Sequence, residues 1–303
     1  MDNFLSIKEA VNKYIDGCEG KISASPQKLF LKSIFAGMMI AMGAAASSVA
    51  AHAISNVGVA RMAAALVFPV GLMMVILLGA ELFTGDCLMI MATASQKHTP
   101  MQLVRTLVIV FAGNFVGAVL IAIAVAASGQ LDYSTGLLGA YTIKVALGKA
   151  TISFSRAIVS GILCNILVCS AVLMALCAKD IAGKLMAVFF TIMLFVVAGF
   201  EHCVANMYYI AAGMVAAVNP EYVEVAIQEY GYTAEQISML NFQNFFVGNL
   251  LPVTIGNIIG GMLFIGLPLL YLNREQKTEN YRVKEKSDER GFIFRRNIAG
   301  IGR

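Results

Sequence analysis

The sequence contains no tryptophan and unusually little charge. Asp, Glu, Lys and Arg make up only 13% of its 303 residues, whereas hydrophobic residues make up 59%. Because soluble domains carry about 25% charged residues, this composition excludes an ordinary soluble protein and indicates a membrane protein. Without tryptophan, any aromatic belt at the membrane surface must consist of tyrosine and phenylalanine.

Sequence signatures of enzymes and metal sites are absent as well. The chain has neither His-Glu-x-x-His nor Gly-x-Ser-x-Gly, and its histidines are His52, His98 and His202. The six cysteines form no Cys-x-x-Cys pair, and we interpret them as small hydrophobic side chains. We therefore expect no enzyme activity, no metal, no cofactor and no nucleic-acid partner.

Long apolar segments dominate the sequence instead. Six of them cover residues 33–54, 62–95, 106–128, 156–178, 185–218 and 243–271. A helix needs about 20 apolar residues to cross a bilayer, so four of these segments fit one crossing each. The second and fifth contain about 34 residues and would measure roughly 51 Å as straight helices. That length is too great for one crossing and too small for two crossings with a turn.

Polar residues lie at the centres of these two long segments. They are Glu81, Thr84 and Asp86 in the second segment, and Glu201, His202 and Asn206 in the fifth. Irregular backbone is tolerated at membrane depth only where protein or a water-filled cavity surrounds it. We therefore predict that each segment is one span, broken midway beside a solute path.

The distribution of lysine and arginine orients the spans. With six spans both termini lie on one side, and that side also carries Lys97, Arg105, Lys179, Lys184 and nine basic residues of the tail. The other side carries fewer basic residues and an acidic loop over residues 219–235. The positive-inside rule then predicts that both termini are cytoplasmic in a bacterial inner membrane.

The same pattern divides the chain into three parts. We expect a cytoplasmic segment over residues 1–32, a six-span pore domain over 33–272 and a basic cytoplasmic tail over 273–303 that contacts anionic lipid. The first 28 residues are rich in charge and contain no long apolar run, which argues against a cleaved signal peptide.

Two pairs of motifs reveal an internal repeat. Residues 79–84 read Gly-Ala-Glu-Leu-Phe-Thr and residues 199–204 read Gly-Phe-Glu-His-Cys-Val. Residues 113–117 read Gly-Asn-Phe-Val-Gly and residues 256–260 read Gly-Asn-Ile-Ile-Gly. Since each copy has three spans, the second copy is inverted in the membrane. Broken spans in an inverted repeat indicate a solute site near the midplane, where helix N-termini favour anions.

At these motifs the sequence resembles the formate/nitrite transporter family. Residues 161–165, 205–207 and 249–261 add to the resemblance, which extends to about Leu272. It implies an all-α integral membrane protein with an aquaporin-like six-helix protomer. It also implies a homopentamer in the lipid bilayer, with one pore per protomer and small inorganic or organic monovalent anions as solutes.

The resemblance further implies roles for individual residues. Thr84, His202, Asn165 and Asn206 would form the pore centre and contact the anion, with Glu81 and Glu201 supporting the broken backbone. Leu72 and Leu82 would form an inner constriction, Phe68 and Phe195 an outer one, and Lys21 and Lys149 would attract anions at the two mouths. Buried carboxylates are costly unless paired, so we expect both glutamates to be hydrogen-bonded away from the solute.

The function that follows is a passive channel for small monovalent anions of weak acids. Hydrosulfide is favoured because the sequence most resembles the hydrosulfide-channel branch of the family. Gly85 and Asp86 also differ from the Ser-Thr that follows the loop threonine in formate channels. Formate and nitrite remain possible. The alternative is proton-coupled transport of formate or nitrite, with the proton carried by His202, since imidazole titrates near pH 6.5.

Overall fold

A computed structural model describes residues 4–273, in which every regular element is a helix. The α-helices are α1 (Ile7–Ser23), α2 (Pro26–Ala51), α3 (Val57–Val67), α4 (Pro69–Leu77), α5 (Phe83–Asp86), α6 (Ile90–Ala94), α7 (Pro100–Ala127), α8 (Leu137–Ala150), α9 (Phe154–Cys177), α10 (Ile181–Ala198), α11 (Cys203–Ala216), α12 (Pro220–Tyr230), α13 (Ala234–Ser238), α14 (Leu251–Ile259) and α15 (Leu267–Asn273). Short 3-10 turns cover Cys87–Met89 and Gln130–Asp132, and π-helical turns cover Asn244–Leu250 and Gly260–Gly266. The predicted basic tail lies outside the described residues from position 274 onward.

Six helical spans in the described range are long and apolar enough to cross a membrane, which confirms the predicted number. They are Pro26–Ala51, Val57–Leu77, Pro100–Ala127, Phe154–Cys177, Ile181–Ala198 and Asn244–Asn273. The first span begins earlier than its apolar segment because local signals start the helix there. Ser25 caps it by accepting from the backbone N–H of Lys28, and Pro26 occupies the first helical position.

The second and fifth spans are broken midway, as predicted. The second stops at Leu77 and resumes at Phe83, and the fifth stops at Ala198 and resumes at Cys203. Gly79 and Gly199 follow the first halves with φ of 65° and 74°, a left-handed conformation that glycine adopts without steric penalty. The chain then runs extended into the second half-helix.

Two buried asparagines fasten these breaks in the same way. Asn114 on α7 accepts from the N–H of Phe83 at 2.9 Å and donates to the carbonyl oxygen of Glu81 at 3.0 Å. Asn257 on α14 accepts from the N–H of Cys203 at 2.9 Å and donates to the carbonyl oxygen of Glu201 at 3.0 Å. The motif pair found in the sequence therefore satisfies backbone groups that the broken helices leave open.

Close helix packing also follows the repeat. A Cβ atom on Gly117 would overlap the carbonyl oxygen of Ile34, and one on Gly260 would overlap that of Ile162. Glycine at these positions lets α7 approach α2, and lets the last span approach α9, at backbone contact distance. Small residues serve this purpose between membrane helices generally.

The repeat extends further than the sequence motifs indicated. α1 and α8 precede the first span of each half, and each carries a lysine near its C-terminal end, Lys21 and Lys149. Each is followed by a serine N-cap, Ser25 or Ser153, and then by a span. The two halves are therefore four-part units that each begin with a short helix outside the spans.

Candidate functional site

The two broken spans meet at a hydrogen bond between Thr84 and His202. Thr84 Oγ1 and His202 Nε2 are 2.9 Å apart, and the two side chains are 0% and 2% exposed. Thr84 lies in the first turn of α5, and His202 is the residue that precedes α11. The predicted pore-centre residues from the two halves are thus in direct contact.

The second ring nitrogen of His202 fixes the protonation pattern of this contact. His202 Nδ1 accepts from the backbone N–H of Ala205 at 3.0 Å and so caps the N-terminus of α11. A neutral imidazole that accepts at Nδ1 carries its proton at Nε2, which therefore donates to Thr84 Oγ1. The hydroxyl hydrogen of Thr84 is then left to donate to a solute.

Two cavities approach this contact from opposite ends of the same helices. One, of about 210 Å³, is lined by Arg61 and Phe68 from the start of the second span and by Phe195 from the end of α10. The other, of about 290 Å³, is lined by Leu72 further along the second span and by Lys184 near the start of α10. We refer to them as the outer and the inner cavity.

The four predicted constriction residues line these two cavities. Phe68 and Phe195 line the outer cavity together with His202, and their rings meet edge to face with centroids 5.5 Å apart. Leu72 and Leu82 line the inner cavity. All four side chains are apolar and at most 4% exposed.

The outer cavity contains a compensated charge pair. Lys149 Nζ lies 2.9 Å from Glu201 Oε1 and 5.3 Å above the ring of Tyr209. Asn206 Nδ2 donates to Glu201 Oε2 at 2.6 Å and to Asn249 Oδ1 at 2.8 Å. Glu201 is therefore held by a lysine and an asparagine, which lowers the cost of burying its carboxylate.

A second group of lysine and carboxylate side chains lies at the inner cavity. Lys21 Nζ lies 2.6 Å from Glu81 Oε2 and also contacts Asp86 Oδ1, and Lys32 Nζ lies 3.7 Å from Glu81. Burial alone would lower the pKa of Lys21, but the carboxylates of Asp86 and Glu81 outweigh it and raise that pKa above its usual range. The Lys21 ammonium therefore stays charged.

These geometries change the roles expected for four residues. Lys21 and Lys149 are ion-paired, so neither is a free charge at a mouth. Asn165 Nδ2 donates to the carbonyl oxygens of Thr84 at 3.2 Å and Asn257 at 2.6 Å, and both amide hydrogens of Asn206 are used as well. The two asparagines therefore position the backbone and Glu201 and have no N–H left for an anion.

Several residues of the site were absent from the sequence-based prediction. Asp86 was noted as a polar residue in the middle of a span and as a departure from a family motif, but its contact with Lys21 depends on how α1 packs. Arg61 lines the outer cavity and donates to the carbonyl oxygen of Val197 at 3.1 Å. Asn114 and Asn257 were visible as a repeated Gly-Asn motif, and that repetition was a signal for their common role.

Comparison with known proteins agrees with the fold. A family model described as "Formate/nitrite transporter" matches residues 8–271. The formate channel FocA of Haemophilus influenzae is 36% identical over 258 residues, which cover 84% of this chain and 89% of that protein. A solved structure described as a pentameric formate channel with formate bound superposes with a TM-score of 0.74 at 34% identity, covering 82% of this chain and 98% of that one. A second, described as an FNT family ion channel, superposes with a TM-score of 0.73 at 26% identity, covering 87% and 98%.

Proposed function

Since the chain belongs to the formate/nitrite transporter family, we propose that it is a passive channel for small monovalent anions of weak acids. Hydrosulfide is the favoured solute, and formate and nitrite are further candidates. The observation that carries the proposal is the Thr84–His202 hydrogen bond, buried between two cavities that approach it from opposite ends of the same helices.

An anion that leaves water for the apolar constrictions loses hydration, and this loss must be offset. Thr84 supplies a hydroxyl donor without adding charge. α11 begins at Cys203, so the positive end of its dipole lies beside His202 at the centre of the path. The Thr84 hydroxyl and the helix dipole carry no full charge, so they bind an anion weakly enough for it to leave again. Conduction requires such weak binding.

The state of His202 favours a channel over a proton-coupled carrier. The neutral ring already uses Nδ1 as a helix cap and Nε2 as a donor. To hand a proton to the solute the ring must first become an imidazolium, and that step breaks the cap to Ala205. The proton-coupled alternative is supported by the central position of the same histidine, and it differs in requiring proton movement in proportion to solute movement.

The family resemblance supports a homopentamer in which every protomer has its own pore. The solved structure with a TM-score of 0.74 is itself described as pentameric. The excess of basic residues on the side of the termini supports an inner-membrane location with both termini cytoplasmic.

A comparison of the fluxes of hydrosulfide, formate and nitrite tests which solute the protein conducts best. Purified protein in proteoliposomes is given equal gradients of hydrosulfide, formate and nitrite, with a membrane potential imposed in one direction and then the other. A channel gives flux that follows the potential for each permeant anion and needs no stoichiometric proton uptake. Flux that is independent of the membrane potential and moves one proton with each solute would contradict the channel and indicate proton-coupled transport. Slower passage of hydrosulfide than of formate would remove hydrosulfide as the favoured solute.

A further inference from the structure

Asp86 and Asn206 occupy the same position in the two halves of the chain. Each lies five residues after the central glutamate of its half, Glu81 or Glu201. Each is buried, with exposures of 1% and 0%. The inner group of Lys21, Glu81 and Asp86 is therefore the counterpart of the outer group of lysine, glutamate and asparagine.

The outer group is balanced in charge and in hydrogen bonds to the carboxylate. Lys149 compensates Glu201, and the second carboxylate oxygen of Glu201 accepts from Asn206 at 2.6 Å. An asparagine at this place is a donor without charge.

The inner group lacks that balance if Asp86 is ionised. Glu81 and Asp86 then share the Lys21 ammonium, because the only other cation in contact with them among the described residues, Lys32, is 54% exposed and lies 3.7 Å from Glu81. An ionised Asp86 also has no hydrogen to donate to Glu81. Both carboxylates contact the Lys21 ammonium, and Asp86 Oδ2 is buried without a hydrogen-bond partner among the described residues. Two carboxylates that share one buried cation bind a proton between them more readily than they hold two negative charges.

We propose that Asp86 is a proton-binding residue of the inner cavity, and that a proton shared between Asp86 and Glu81 gives Asp86 the donor role that Asn206 has in the outer group. This proposal rests on the proposed anion channel. With the proton bound, the inner group is neutral like the outer one. When the proton leaves to the inner solution, the inner cavity gains one negative charge beside the anion path.

The titration of Asp86 depends on groups from every element that packs around it. The ionisable neighbours are Lys21, Tyr14 and Cys18 on α1, Glu81 and Cys87 on its own segment, and Cys169 on α9. Lys32 on α2 contacts Glu81, and Lys13 and Lys184 line the same cavity. His202, which contacts Thr84 on α5, is a further ionisable group near this site, so only a pH effect that Asp86→Asn removes is assigned to the shared proton.

The consequence is a conductance that falls as pH rises. Formate is a suitable probe because it stays ionised throughout this range. A like charge at the mouth of a focused path lowers anion access, by about tenfold for one full charge at low salt. Asp86→Asn keeps the shape of the side chain and mimics the protonated form, so its formate conductance stays at the low-pH level at every pH.

Two variants make the test specific. Asn206→Asp places a carboxylate in the outer group and is expected to add a second decline in conductance with rising pH. Asp16→Asn removes an exposed carboxylate from α1 and is expected to keep the wild-type profile. If Asp86→Asn retains the wild-type decline, the proposal is overturned.

Infrared spectroscopy tests the proton without relying on conduction. The full chain in lipid should show the C=O stretch of a protonated carboxyl group at neutral pH, and this band should be lost in Asp86→Asn and kept in Asp16→Asn. A spectrum with no band that depends on Asp86 would refute the proton site even if the channel conducts. The band with no formate current would support the proton site and count against the proposed function.

Discussion

Leu82 and His202 occupy equivalent positions and share one backbone conformation, with φ and ψ of −114° and 123° for Leu82 and −113° and 115° for His202. Each precedes the second half of a broken span. Leu82 lines the inner cavity with an apolar side chain, whereas His202 lines the outer cavity and hydrogen-bonds to Thr84. The repeat therefore gives the two positions the same backbone conformation with side chains of different chemistry.

The hydroxyl of Thr84 is testable by a pair of substitutions. Thr84→Ala removes the group that accepts from His202 and donates to the anion, and we expect anion flux to fall about tenfold, equivalent to about 1.4 kcal/mol. Thr84→Ser keeps the hydroxyl and should retain most of the flux. Proteoliposome assays with hydrosulfide, formate and nitrite would count against this role if Thr84→Ala matched the wild type for all three.

Truncation of Leu82 tests the inner constriction. Leu82→Val removes one methylene from a side chain that is 4% exposed and lines the inner cavity, so we expect faster flux together with a stability loss of about 1 kcal/mol. Leu138→Val on α8 removes the same group from a buried position in the core and should affect only stability. Equal flux in Leu82→Val, Leu138→Val and the wild type would mean that the path is closed elsewhere.

The Lys149–Glu201 pair predicts coupling between two substitutions. Lys149→Gln leaves Glu201 buried beside the anion path with an uncompensated charge, and we expect a loss of flux that is largest at low salt, since the Debye length is about 8 Å at 0.15 M. Lys149→Gln combined with Glu201→Gln removes both charges and should recover part of that flux. A double variant no better than Lys149→Gln would indicate that lysine contributes through packing against Tyr209 instead.

Replacement of His202 separates the channel from the carrier. His202→Asn keeps an N-cap for α11 and a donor near Thr84, but it removes the titratable ring. We expect the variant still to carry anion current in voltage-clamped bilayers. Loss of the current with continued passage of the neutral acid would establish that His202 transfers a proton and would favour coupled transport.

The close approach of the helices predicts a strict requirement for glycine. Gly117→Ala and Gly260→Ala each place a Cβ atom against a backbone carbonyl oxygen, and we expect each to destabilise the protein by about 1–3 kcal/mol. A Cβ atom on Gly148 of α8 would meet no other atom within 4 Å, so Gly148→Ala should be neutral or slightly stabilising. Thermal unfolding in detergent measures the difference, and equal melting temperatures for all three variants would contradict it.

The sequence by itself determined the membrane class, the six spans and the two breaks. Apolar length is a local quantity that the bilayer thickness makes decisive, and polar residues such as Glu81 and Glu201 in the middle of a span are too costly to occur without a structural reason. The repeated Gly-Asn motif likewise indicated that the two breaks share one backbone conformation, because Asn114 and Asn257 bind equivalent backbone groups in the two halves.

Tertiary structure decided how charges and hydrogens are distributed among those residues. The family resemblance placed Lys21 and Lys149 at the two mouths as residues that attract anions, whereas the packing of α1 and α8 brings each against a buried carboxylate. The contact of Lys21 with Asp86 joins residues 65 positions apart, and that of Thr84 with His202 joins residues 118 positions apart. Such pairings depend on the relative placement of helices, which hydropathy and spacing along one chain do not encode.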